Sequence, residues 1–571
     1  MWSIVLLLPF VALAATEVAL RLAGFGRDLE PLFIRSPGLS GYLQANPGVV
    51  TRFFTDPSQA PDVSIETAYF RASKVPGSFR VFVQGESSAA GFPYGLGASL
   101  AGILDQRFER AFPGREVEVI STAMAAVNSY TLLDFADEII EQQPDAVAIY
   151  VGHNEFLGIL GVGSTLRMSS RPWLTRAFLR VRELRLFQLM SRVYGGFAPS
   201  APSQPVGSAD TLMGAVAGER SITLKSTLFA RGAEQFETNL DALLARYERA
   251  GIPVFIGTLA SNERDQMPLA ILAGADTEAA STAKTAYHAA QDAEGAGDFA
   301  SARDGYAWAR DLDPLRFRAP SVFSKIVAQV AARRHADLVD VHEAFVHASP
   351  NGLVGANLML EHVHPNLNGY FLLADAFFDA MTGKGLPGKP DVVVPDAQAR
   401  NEIPVSDIDR WLGEYKVQRI RSAWPFVATS LRPRLPVPVS EGERLAQELY
   451  NQRISWPEAQ ERLRRHYLAV GDKPEYTRVT AILADGFPFT GALQFEAAAA
   501  LIAIGRPADA LRYSRRAVDL EPRNVNHLLV NAHALILNGR LDDGRSMLEQ
   551  VLLLEPGNPT AHEVLQQLGA R

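Results

Sequence analysis

Residues 79–91 read FRVFVQGESSAAG. Phe79, Val81, Phe82 and Val83 supply the aromatic and β-branched residues of a buried strand; Gly85, Glu86, Ser87, Ser88 and small residues then break it, before a helical run begins at Leu96. The pattern predicts a strand that delivers a serine hydroxyl into a turn. In open α/β sheets, ligands bind beyond the carboxyl ends of the strands, and small neighbours leave room there for a substrate carbonyl. Taken alone the same stretch also reads as an ordinary polar turn, so its meaning depends on what surrounds it.

Around it a βα alternation sets in. Strands are expected over 116–121, 146–152, 253–259 and 337–341, with helices near 96–112, 130–143, 234–250 and 368–382. Strands alternating with amphipathic helices imply an α/β class with a mostly parallel sheet covered on both faces. The 571 residues exceed one core, so two or three domains are expected. A formal net charge of −8 and no dense Lys/Arg block argue against a nucleic-acid partner. With no cysteine in the chain, disulfides, thiolate metal sites and cysteine nucleophiles are excluded together.

The first residues, MWSIVLLLPFVALAAT, carry no side-chain charge, and apolar residues continue past Glu17 and Arg21. Residues 1–25 are expected to be a membrane anchor, with a cleaved signal segment as the rival reading because Ala12-Leu13-Ala14 resembles a cleavage site, and a helix merely buried in the protein as the third. The first two readings put the body on the periplasmic or extracellular face, and the anchor makes the membrane a partner through the N-terminal segment.

Two insertions interrupt the alternation. The first, about 157–225, carries seven arginines between Arg167 and Arg192 against the single acid Glu183. It reads as a helical flap over the sheet with its arginines in solvent, or as a basic amphipathic helix on an anionic surface. The second, about 278–325, holds a unit that recurs at the C-terminus. Gly297, Gly505 and Gly539 are each followed 17 residues later by a proline (Pro314, Pro522, Pro556), and small residues (Ala290, Ala498, Ala532) lie seven before each glycine. This spacing resembles the tetratricopeptide repeat, a helix-turn-helix unit. Two adjacent units are too few to stand alone, so helices between about 405 and 480 are expected to extend the array. The resulting division is 26–385 for the sheet domain, a Pro-rich linker at 386–404, and an all-α domain at 405–571 with repeats over about 490–571.

Four segments line up in chain order: Gly85-Glu86-Ser87, Ser121-Thr122-Ala123-Met124, Gly152-His153-Asn154-Glu155 and Glu361-His362-Val363-His364-Pro365. Their order resembles the SGNH/GDSL hydrolase family over about 79–155 and 337–382. The resemblance implies a flavodoxin-like three-layer sheet and an acyl-ester hydrolase working through an acyl-enzyme. It assigns Ser87 as nucleophile, His364 as general base and Glu361 as the acid that orients it, with an oxyanion hole from the N–H groups of Ser87 and Ala123 and the amide of Asn154. The types fit the chemistry, since a serine needs a base for its proton and a tetrahedral oxyanion needs donors fixed in advance. Two positions depart from the family pattern, with Ala123 where glycine is usual and Glu361 where aspartate is usual.

No cofactor is expected. His153, Glu155, Glu361, His362 and His364 could be combined into a metal site, but no HExxH spacing is present and none is expected. Ser88 is the alternative nucleophile, and His362 is expected to be a surface or supporting histidine. The substrate implied is an ester on a saccharide or lipid, on an envelope component given the expected location, with a protein partner for the repeats. A catalytically silent glycan- or lipid-binding scaffold is the reading from a different class.

Overall fold

The computed structural model describes residues 2–37, 41–54, 56–66, 69–113, 115–169, 171–197 and 211–569. Part of the first insertion, 198–210, lies outside the described residues. Three short strands, β1 (Phe33–Arg35), β2 (Tyr42–Ala45) and β3 (Phe70–Arg71), form an antiparallel sheet. The main sheet has β4 (Phe79–Gly85), β5 (Val117–Ser121), β6 (Ala146–Tyr150), β7 (Val254–Gly257) and β8 (Asp337–Val339), in the order β5-β4-β6-β7-β8 and all parallel. That is the flavodoxin-like order, in which the first strand lies between its two successors and the chain reverses direction across it.

Strand β4 is buried from end to end, which is why it reads as a nearly continuous apolar run rather than an alternation. Its register aligns Val83 with Ser121 and Gly85 with Tyr150, so the segments following β4, β5 and β6 emerge side by side at one edge of the sheet. Helices cover both faces. Leu100–Ala111 packs with Leu367–Gly383 on one, and Ser129–Glu141, Thr227–Arg249 and Ser321–Arg333 pack together on the other. Local signals start them: Ser99, Asn128 and Asn366 cap three of these helices through side-chain oxygens.

The second insertion folds as a helix pair, Glu278–Gly295 and Phe299–Leu312. The C-terminal array comprises the helices Gly491–Ala503, Pro507–Leu520, Val525–Leu537, Leu541–Leu554 and Pro559–Gly569. Four helices between Asp407 and Gly486 precede it, as the need for an extended array predicts. Gly505 and Gly539 stand in the turn of their units at φ of 77° and 75°, the left-handed region that glycine enters without strain.

The expected membrane anchor is overturned, and with it the anchored, periplasmic or extracellular-face location. Among the described residues no helix is long and apolar enough to cross a membrane. Residues Trp2–Leu22 are helical, but Glu17 pairs with Arg21 and its carboxylate accepts the backbone N–H groups of Arg185 (3.0 Å) and Leu186 (2.9 Å). This charged group caps a neighbouring helix of the protein, which ties the segment to the chain itself. The arginine-rich flap also differs from expectation. Arg182 and Arg185 are buried rather than solvated and pair with Asp134 (2.6 Å) and Asp28 (2.5 Å).

The helical array docks on the sheet domain through ions. Arg512 bonds Glu109 and Asp485 and lies 3.4 Å from Asp105, Arg110 bonds Asp509, and Arg71 lies 3.2 Å from Asp519. Phe489 adds ring contacts to Tyr42 (5.3 Å) and Tyr69 (4.6 Å). Arg512→Met is therefore expected to strand Glu109 without its cation at a cost of roughly 1.5–3 kcal/mol. Hydrogen exchange should then speed up in helix Leu100–Ala111 and in the array together; exchange confined to the array would contradict a shared docking cluster.

Candidate active site

Ser87 begins a one-turn helix, Ser87–Ala90, directly after β4. Two glycines make the turn sterically feasible. A Cβ on Gly85 would meet the Tyr150 carbonyl at 2.5 Å, and Gly152 holds φ 148° with Leu259 2.5 Å from where its Cβ would lie. The Ser87 hydroxyl reaches His364 Nε2 at 2.8 Å across 277 positions of chain. His364 precedes the cap of the helix Leu367–Gly383 and is buried, its ring 4.7 Å from that of Phe92.

Behind His364 lies Glu361, which is 2% exposed. Its Oε1 accepts from the His364 ring at Nδ1 and from the His364 backbone N–H at 3.1 Å. An ionised carboxylate can only accept, so Nδ1 carries the proton and Nε2 faces the serine as an acceptor. Burial pushes the imidazole down from its ordinary value to about 3. At neutral pH the ring is the uncharged base that serine activation requires.

Ser88 has a different environment. It is buried, and its hydroxyl donates to the Val363 carbonyl at 3.0 Å. Ala123 and Asn154 follow the two strands that flank β4, Asn154 half-buried and Ala123 wholly so. The Cβ of Ala123 imposes no strain, because the left-handed residue of this loop is Ala126 (φ 59°). The Ala123 N–H, however, donates to the Ser121 hydroxyl at 3.3 Å. To serve an oxyanion it has to exchange that long bond.

The Asn154 loop is held by Glu86, a residue whose position beside Ser87 gave no sign of this function. Its carboxylate accepts three consecutive backbone N–H groups, from Gly152 (3.1 Å), His153 (2.9 Å) and Asn154 (3.0 Å). Burial pushes this carboxyl up to about 8, against the three bonds that favour the anion. The only local hint was an acid and a glycine-led polar turn, each ending a predicted strand. Their adjacency required knowing that β4 and β6 are neighbours.

The remaining polar residues have structural partners. His153 is buried, its Nδ1 accepts from the Ala319 N–H at 3.3 Å, and burial pushes it down to about 3. Glu155 accepts from the Ser129 N–H (3.1 Å) and hydroxyl (2.7 Å) and from Gln235. His362 is 3% exposed and its ring bonds Glu361 Oε2, so it is not a surface histidine. Glu361, His362 and His364 do bring three ligand-type atoms within 4.8 Å of one another. In this arrangement those atoms are engaged with each other.

Residues 501–568 match the tetratricopeptide repeat family model. Among solved structures the chain is similar to the lipase/acylhydrolase from Enterococcus faecalis, at 14% identity over 55% of this chain and 100% of that one, with a TM-score of 0.29. It is similar to an acetylxylan esterase from Geobacillus stearothermophilus at 14% identity, over 53% of this chain and 95% of that one, with a TM-score of 0.28. It is also similar to the first tetratricopeptide domain of human RPAP3, at 21% identity over 20% and 90% of the two chains, with a TM-score of 0.18. No curated protein matches the chain.

Measured above pH 8, where the raised carboxyl is ionised, Glu86→Gln should turn one acceptor into an amide that faces a backbone N–H, leaving buried donors opposed at a cost of about 1–3 kcal/mol. Thermal melting reads the loss. An unchanged melting temperature would show that the carboxylate does not hold the loop.

Proposed function

We propose that the chain is a serine acyl-ester hydrolase. The observation that carries this reading is the Ser87 hydroxyl 2.8 Å from His364 Nε2, with Glu361 on the far ring nitrogen of the same imidazole. As Ser87 Oγ attacks an ester carbonyl, its proton passes to His364 Nε2; the carbonyl π electrons move onto oxygen. The oxyanion is met by the N–H groups of Ser87 and Ala123 and by the Asn154 amide, each such donor being worth about 3–4 kcal/mol. When the tetrahedral species collapses, the ester C–O bond breaks and the alcohol leaves with the proton held by His364. Water then attacks the acyl-serine by the reverse sequence, and an alcohol in its place makes the product a new ester. Glu361 keeps the base in the tautomer that accepts at Nε2 and stabilises its protonated form.

The ester chemistry is assigned to 26–385, a protein partner to the repeats within 405–571, and the connection to 386–404. Saccharide and lipid esters are the substrate classes this reading favours. Two of the seven arginines of the flap, Arg182 and Arg185, are committed to Asp134 and Asp28 and are not offered to an anionic headgroup.

Labelling with a fluorophosphonate tests the reading without knowledge of the substrate. Wild type and Ser88→Ala should label, Ser87→Ala should not, and His364→Ala should label slower by on the order of 10³-fold or more. No labelling of folded wild type sinks the hydrolase and leaves the silent scaffold. The pH profile supplies a second test. A base whose folded pKa is lowered stays neutral as the medium turns acidic, so labelling should hold from pH 8 to about pH 5. A fall by half near pH 6.5 would contradict the lowered value.

A further inference from the structure

Among the buried titratable groups with no part in the chemistry above, His362 has the most specific geometry. It lies one residue after Glu361 and faces the opposite carboxylate oxygen from His364. Oε2 accepts from the His362 ring at Nδ1 and from the His362 backbone N–H at 2.6 Å, just as Oε1 takes both donors of His364. One carboxylate thus straddles two imidazoles whose ring centres are 5.9 Å apart and perpendicular within a few degrees, at 84°. The His362 ring is fixed independently by edge contacts to Phe317 (6.2 Å) and Phe426 (5.4 Å), and its carbonyl accepts from the Asn262 N–H at 3.0 Å.

We propose that His362 is a positioning residue that acts through Glu361, holding the acid on the base from the side opposite His364. The reading rests on the hydrolase assignment for its consequence, though not for its geometry. A glutamate has more freedom than an aspartate, since it carries one more rotatable bond. With Oε2 anchored by His362, that freedom is removed and Oε1 stays on His364 Nδ1. The departure from aspartate at this position then has a physical purpose, because the longer side chain lets both oxygens meet separate imidazoles. The second donor pair also satisfies the Oε2 of a carboxylate that is buried, where an unpaired oxygen would be costly. The groups facing His362 are Glu361 and His364 on its own segment, His153 after β6, and Arg318 from the segment that leaves the second insertion. Burial with these neighbours pushes its imidazole well below the ordinary value, so it sits there as a neutral donor.

Three forms of the full chain test this: wild type, His362→Asn, whose amide places an N–H where Nδ1 stands, and His362→Leu, which removes the donor. Two readouts are taken on each. The first is fluorophosphonate labelling, with the maximal rate separated from the reagent's half-saturation concentration. The second is the titration of His364 by two-bond proton–nitrogen NMR, which needs no activity. His362→Leu should lower the maximal rate roughly 10- to 100-fold with little change in half-saturation. It should also lower the His364 titration further, because a carboxylate no longer held on Nδ1 stabilises the imidazolium less. His362→Asn should restore both most of the way to wild type. A His362→Leu protein with a wild-type rate and titration overturns the proposal, as does His362→Asn behaving like His362→Leu. Should His362→Leu fail to fold, His362→Gln, whose amide overshoots the carboxylate, takes its place with the same expectations. Wild type that titrates as described but does not label sinks the hydrolase assignment alone.

Discussion

The burial of β4 on both faces and along both edges is the constraint from which the rest of the architecture follows. β4 is paired with β5 on one edge and β6 on the other and is buried along its whole length, so its carboxyl end is held from both sides and both faces. Ser87 leaves that point within two residues. Because the neighbours run parallel, the turns after β5 and β6 open at the same edge, and the residues proposed as donors to an oxyanion come from them without any long-range device.

The polar side of the site is organised around buried carboxylates satisfied mainly by N–H groups. Glu86 takes three successive amides, Glu155 takes the Ser129 amide and hydroxyl with Gln235, and Glu361 takes two imidazoles and two amides. Each would be costly to bury unpaired, and each instead fastens a loop that carries a residue of the proposed chemistry. The arrangement makes the site's geometry a property of backbone positions. Small side-chain changes at Glu86 or Glu361 are therefore felt at Asn154 and His364.

The inserted and appended segments are structurally engaged with this centre. The last residues of the second insertion bring Phe317 to His362 and the Ala319 N–H to His153, while Phe426, from beyond the helix Asp407–Arg421, closes over His362. Lys416 on that helix donates to the Pro93 carbonyl at 3.2 Å, in the loop whose Phe92 lies on His364. With the ionic docking around Arg512, these contacts join the array to the sheet domain at several separated places.

Much of this was legible in one dimension. The strands near 79, 117, 146, 254 and 337, the helices between them, the paired helices of the second insertion and the repeats after Gly505 all follow from local periodicity, caps and glycine–proline spacing, which are properties of a few neighbouring residues. The pairing of Ser87 with His364 was readable only through resemblance, since no local rule links positions 277 apart. The N-terminal segment was misread because a run of apolar residues looks the same whether lipid or protein covers it, and the contact of Glu17 with the Arg185 and Leu186 amides lies far along the chain. Likewise the partners of Glu86, the second imidazole on Glu361 and the burial of Arg182 depend on which strands and helices become neighbours. Sequence alone determined the elements and the types of chemistry available; tertiary packing decided which donors and acceptors meet, because a hydrogen bond is set by distance in space and carries no signature in the spacing of the chain.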